Sequence, residues 1–77
     1  MKCKYVVVNY VTIVLFPPHL THRDVADGVG SVTSAGFIGR SKTTESGFYC
    51  YGESQSLGIM SSKDDQVLLD LFFKSIE

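Results

Sequence analysis

The run Tyr5–Phe16, YVVVNYVTIVLF, constrains the fold more than any other stretch of the chain. Its β-branched and aromatic side chains suit a pleated sheet, where they pack against neighbours on the strand surface. Neither half alternates: Val6, Val7 and Val8 are consecutive, and so are Ile13 to Phe16. A strand with one wet face alternates apolar and polar residues, so a continuous apolar run points to a sheet covered on both faces. Asn9-Tyr10 is the turn signal inside the run, and it admits either a tight hairpin or one long bulged strand. The hairpin is the expectation. Pro17-Pro18 then ends the strand, because proline has no N–H for the ladder and a fixed φ.

The segment after the prolines has the form of a helix start. Thr21 stands as N-cap, Asp24 as its capping-box partner, and Leu20 and Val25 at the hydrophobic-staple positions. Gly28 and Gly30 stop this helix early. Ser31–Arg40 and Gly47–Gly52 read as a second hairpin, joined by the polar linker Arg40–Ser46, a solvated and mobile tip. Ser61–Glu77 is the clearest element. Ser61 or Ser62 caps it, and Asp64 and Asp65 lie in the first turn against the positive end of the dipole.

On that last helix Lys63, Gln66, Asp70, Lys74 and Glu77 recur at three- and four-residue spacing as one polar stripe, and nearly everything else is apolar. Such a face is wider than one side of a small sheet needs. Leu69, Phe72 and Phe73 are therefore expected to form the interface of a homodimer. The element order is ββαββα: an α+β domain spanning residues 1–77, with an antiparallel sheet of about four strands. Two helices are expected on one face and a partner on the other. The halves even rhyme, each a hairpin followed by a hydroxyl-led helix start with an Asp behind it.

Composition narrows the function classes. With 77 residues there is room for one small domain, and 44% hydrophobic against 19% charged residues is the balance of a globular chain. The formal net charge is −1 and the seven Lys+Arg are scattered, whereas nonspecific nucleic-acid binding wants a basic stripe, which argues against direct DNA binding. Tyr5–Phe16 is too short for a membrane-spanning helix and carries Asn9 and Thr12. No signal peptide is legible, so a soluble intracellular protein is expected. Cys3 and Cys50 fit buried thiols in a reducing compartment, with a bridge open to them only if the first and last strands pair.

Hydroxyls, glycines and aromatics concentrate between Ser46 and Ser62, SGFYCYGESQSLGIMSS, where a strand hands over to a helix. Loops on a rigid scaffold are where binding groups gather. Tyr49, Tyr51, Glu53, Ser54, Gln55 and Ser56 are accordingly the candidate partner-binding residues. Gly52-Glu53-Ser54-Gln55-Ser56 begins like a nucleophile elbow but has Ser56 in place of the final glycine, and both histidines lie upstream. His19 and His22 have no CxxC or second pair with which to hold zinc. No catalytic residue, metal or cofactor is assigned. An alternative site for a nucleotide-like ligand uses Arg40 and Lys42 on the hairpin tip, with a tyrosine stacking a base, or His22 and Arg23 exposed at the first helix start.

Three motifs are distinctive when read together: F-P-x-x-x-x-H at Phe16–His22, S-A-G-F at Ser34–Phe37 and Y-G-E-S-x-S-L-G at Tyr51–Gly58. In these the chain resembles short, uncharacterised phage and prophage accessory proteins, from Phe16 onward. That family carries no assigned biochemistry, and the turn at Asn9-Tyr10 is less polar than the pattern leads one to expect. The resemblance implies a viral protein acting in the host cytoplasm. It supports a non-enzymatic binder that blocks a host protein, plausibly of a defence system. Sequestration of a nucleotide-like signal, or a minor virion or assembly role, is the alternative.

Overall fold

The structure, a computed structural model, describes residues 3–76. Glu77, expected in the polar stripe of the last helix, lies outside the described residues. The chain runs β1 (Cys3–Val8), β2 (Thr12–Phe16), α1 (His22–Val29), β3 (Val32–Arg40), β4 (Phe48–Tyr51), β5 (Glu53–Ser54), β6 (Ile59–Met60) and α2 (Lys63–Ser75). The first four strands form one antiparallel sheet in the order β2-β1-β3-β4, and β5 and β6 a separate two-stranded ladder. The domain is α+β with the expected four-stranded sheet and two helices.

Tyr5–Phe16 folds as the hairpin. Asn9 and Tyr10 take left-handed backbone angles, φ 51° and 65°, and Val11 N–H donates to Val8 C=O. Two successive left-handed residues give the turn whose twist matches the strands it joins. Both helix starts are capped as read. Thr21 and Asp24 exchange side-chain and backbone hydrogen bonds at α1, and Ser62 and Asp65 do so at α2.

The helices do not share a face. Side chains alternate along a strand, and β1 sends Tyr5 and Val7 to one side and Val6 and Val8 to the other. Tyr5 and Val7 pack with Ile38 and with Leu69 of α2. Val6 and Val8 pack with Phe16, Ala35 and with Val25 and Val29 of α1. The sheet is thus the middle of three layers, and the cover expected from a partner comes from the chain's own second helix. Leu69 is fully buried in that core, which removes it from any oligomer interface. Phe73 stacks on Phe48 of β4 at 4.7 Å, also within the chain. Among the three expected interface residues Phe72 stands apart, half-buried and packed edge-on to Phe73.

The polar stripe of α2 is not solvated along its length. Gln66 lays its carboxamide along the outer edge of β4: Oε1 accepts from Cys50 N–H at 3.1 Å and Nε2 donates to Phe48 C=O at 2.9 Å. Asp70 accepts from Ser46 N–H and from Gln66. A side-chain amide here does what a fifth strand would do. The linker beyond it is likewise pinned, with Thr44 Oγ1 donating to Phe48 C=O at 2.7 Å and Ser41 N–H to Gly47 C=O. Cys3 and Cys50 are both free thiols, because β3 lies between their strands: Ile38 pairs with each of them.

Candidate recognition cleft

The even face of β1 and its neighbours carries a row of rings. Phe16 on β2 meets His22 edge-on at 5.5 Å, and His22 meets Phe37 on β3 in the same way at 5.5 Å. Phe37 lies 5.8 Å from Tyr51, directly opposite it on β4, and Tyr51 stacks on Tyr49 at 5.2 Å. His22 is only 4% exposed, and its Nε2 donates to the Gly36 carbonyl at 2.9 Å. This corrects the expectation of an exposed ring at the helix start. In that tautomer the ring holds α1 against β3.

Over the outer part of this row opens a cleft of about 540 Å³. Phe37 and Tyr51 form its floor; Thr21 and His22 flank one side, Gly52, Glu53, Gln55 and Ser56 the other, and Lys4 one end. Lys4 Nζ donates to Leu20 C=O at 2.9 Å, which uses one of its three N–H bonds and leaves two free to meet a ligand. Arg23 reaches across to donate to Ser56 C=O at 3.0 Å and ties the loop to α1. Two glycines allow close approach here, Gly52 at the cleft itself and Gly36 on the opposite face of the sheet. Gly52 has φ +80°, and a Cβ there would come within 3.0 Å of the Phe37 ring; a Cβ on Gly36 would stand 2.5 Å from the Tyr51 carbonyl oxygen.

Candidate residues from both sets of sequence expectations meet here. Tyr51, Glu53, Gln55 and Ser56 of the partner-binding set line the cleft, and so does His22 of the ligand set, with Arg23 bracing the wall. Tyr49 extends the floor as an exposed neighbour. Ser54 does not take part: it is buried, and its hydroxyl bonds Ser56 Oγ and accepts from Leu57 N–H to hold the β5–β6 turn. Arg40 and Lys42 stay exposed at the β3–β4 tip and are not among the residues lining the cleft. His19 is exposed in the loop, so the two histidines do not converge, and no group of metal-ligating side chains gathers among the described residues.

The sequence reading missed one polar centre altogether. Asp65, placed at the α2 dipole, is 2% exposed and lies beneath the sheet. Its Oδ2 accepts from Tyr5 Oη at 2.5 Å and Ser62 N–H at 2.8 Å, and its Oδ1 from Ser34 Oγ at 2.6 Å. Burial, aided by that carboxylate, pushes the Tyr5 phenol far above the usual range. Burial also pushes the adjacent Cys50 thiol up to about 12. The signal that could have found this centre is the serine of the S-A-G-F motif, a lone hydroxyl in an apolar strand, which needs a partner when buried.

No helix among the described residues is long and apolar enough to cross a membrane. Comparison with protein-family models, curated proteins and solved structures finds no match.

Proposed function

We propose that this chain is a small non-enzymatic binding protein that inhibits a partner protein by seating one of the partner's projecting side chains in the aromatic cleft. The observation that carries this reading is the make-up of the cleft: a floor of rings bordered by Glu53, Gln55 and Ser56, with a single lysine, Lys4, on its lining. An aromatic centre within a polar rim is the anatomy of a protein–protein hot spot. A nucleotide would want several cations converging on its phosphates, and Arg40 and Lys42 lie outside the cleft. The resemblance to phage accessory proteins supplies the context: a host protein of a defence system, met in the bacterial cytoplasm.

The test is photo-crosslinking in host cells with a benzophenone side chain placed at Tyr51 and, as control, at Tyr10 on the far turn. A single protein adduct at Tyr51, absent at Tyr10 and lost with Glu53→Arg or Tyr49→Ala, is the expected result. Equal labelling at both positions, or none at Tyr51, overturns the reading. Salt-sensitive stabilisation by nucleotides that weakens on Arg40→Ala would instead favour sequestration.

A further inference from the structure

The four-stranded sheet has two unlike edges. On β4 three of the four outward main-chain groups of Phe48 and Cys50 are occupied: Phe48 N–H donates to Ser46 Oγ, Phe48 C=O accepts from Thr44, Ser46 and Gln66, and Cys50 N–H donates to Gln66. On β2 they are open. Val11 N–H bonds Val8 C=O, so the even residues of β1 face β2, and their partners Thr12, Val14 and Phe16 face back. Hydrogen-bonding direction alternates along an antiparallel pair. Ile13 and Leu15 therefore point N–H and C=O outward, and none of these groups has a hydrogen-bond partner among the described residues. Nor does β2, TIVLF, contain a charge or a proline, the usual means of blunting an edge.

We infer that β2 pairs with β2 of a second copy, antiparallel and centred on Val14, joining two sheets into one closed pair. In this register Ile13 lies opposite Leu15 of the second copy, and Leu15 opposite Ile13. Each is an outward-facing pair that exchanges both hydrogen bonds, so every open group on both strands is satisfied. Centring on Ile13 would set Leu15 against the turn residue Val11, and centring on Leu15 would set Ile13 against Pro17, which has no N–H. The strand is complementary to itself in one register.

Helix α2 carries the same polarity. Gln66 and Asp70 turn toward β4, while Leu68, Leu71 and Phe72, at three- and four-residue spacing, occupy the opposite flank. Leu71 is 57% exposed, and Phe72 is not among the side chains packed on the Leu69 core. Residues opposite one another share a face, so both copies of α2 lie on the same side of the joined sheet with these flanks toward each other. Because the β4 edge is closed, the contact uses the open edge and stops at two copies.

Sedimentation and amide exchange of the full chain test this together. The expected species has twice the 8.5 kDa chain mass, with the Ile13 and Leu15 amides protected and both signals lost together on dilution. Backbone N-methylation at Leu15, introduced by chemical synthesis of the whole chain with ligation at Cys50, keeps every side chain and yields a monomer. Leu71→Glu, at an exposed site, weakens pairing by about tenfold, and Lys74→Glu leaves it unchanged. A monomer at the highest soluble concentration, a dimer that survives both changes, or an open series of larger species overturns the inference.

Discussion

Tyr5→Phe removes one oxygen atom and tests the buried centre under the sheet. The phenol donates to Asp65 Oδ2, which shares only Ser62 N–H as a further donor, while Ser34 serves Oδ1. A hydrogen bond to a charged group is worth about 1.5–3 kcal/mol, and the carboxylate stays buried when the hydroxyl goes. A chain of this length has a total stability of about 4–12 kcal/mol, from ~0.05–0.15 kcal/mol per residue, so the loss is a large share. With a urea slope of about 1 kcal/mol/M for a small domain, the unfolding midpoint drops by roughly 1.5–3 M. Asp65→Asn should cost less, about 1–2 kcal/mol, because the amide oxygen can take Ser62 N–H while the amide nitrogen donates to Ser34, whose hydroxyl can turn to accept. Asp65→Ala strands three donors and loses the cap, about 3–5 kcal/mol. Once Asp65 is alanine, Tyr5→Phe should add little. Urea melts followed by circular dichroism supply the double-mutant cycle. A Tyr5→Phe effect below about 0.5 kcal/mol, or strict additivity with Asp65→Ala, refutes the reasoning.

Gly52→Ala places a Cβ at φ +80° and within 3.0 Å of Phe37; it should cost about 1–2 kcal/mol and shift the Phe37 and Tyr51 ring resonances, read by thermal melts and NMR. Gln66→Leu uncovers Cys50 N–H and takes one of three donors from Phe48 C=O, so stability should fall by about 1–3 kcal/mol and species larger than a pair should appear in sedimentation as the second edge loosens. The Cys50 thiol is raised by burial from 9.0 to about 12. Its contribution is complete below pH 9, where the unfolded thiol is still protonated, and is lost as pH rises from 9 toward 12. Cys50→Ala should flatten the alkaline decline in melting temperature over that window, and an unchanged slope counts against it.

Local chemistry was legible where short-range rules decide the outcome. Thr21 caps as its spacing to Asp24 indicates, Ser62 is one of the two serines read as the cap of the last helix, and Asn9-Tyr10 turns where a polar residue interrupts an apolar run. What escaped depends on long-range neighbours. Asp65 satisfies the dipole rule whether wet or buried, and only Tyr5, from the other end of the chain, decides between them. Gln66 and Asp70 look like solvent positions until an unpaired strand edge lies beside them. His22 reads as exposed by helix position, yet Phe16 and Phe37 close around it. The cleft drew half its residues from the Y-G-E-S region, as hydroxyl and aromatic density suggested. The two-residue strands β5 and β6 were too short to leave a periodic signal.

The double cover of the sheet has a consequence for alignment. Where one face is wet, a one-residue slip throws apolar side chains into water, and the hydrophobic pattern itself fixes the register. In β1 that safeguard is missing, because Tyr5 and Val7 on one side and Val6 and Val8 on the other are all buried. Position along the strand is encoded instead by a few hydroxyls. Tyr5 reaches Asp65, and Thr33, the extra residue at the β1–β3 irregularity, donates to Val7 C=O while accepting from Tyr10 N–H. Stripped of the hydroxyls of Tyr5 and Thr33 together, β1 would keep its apolar packing and lose its address, free to exchange between two threadings of nearly equal greasiness.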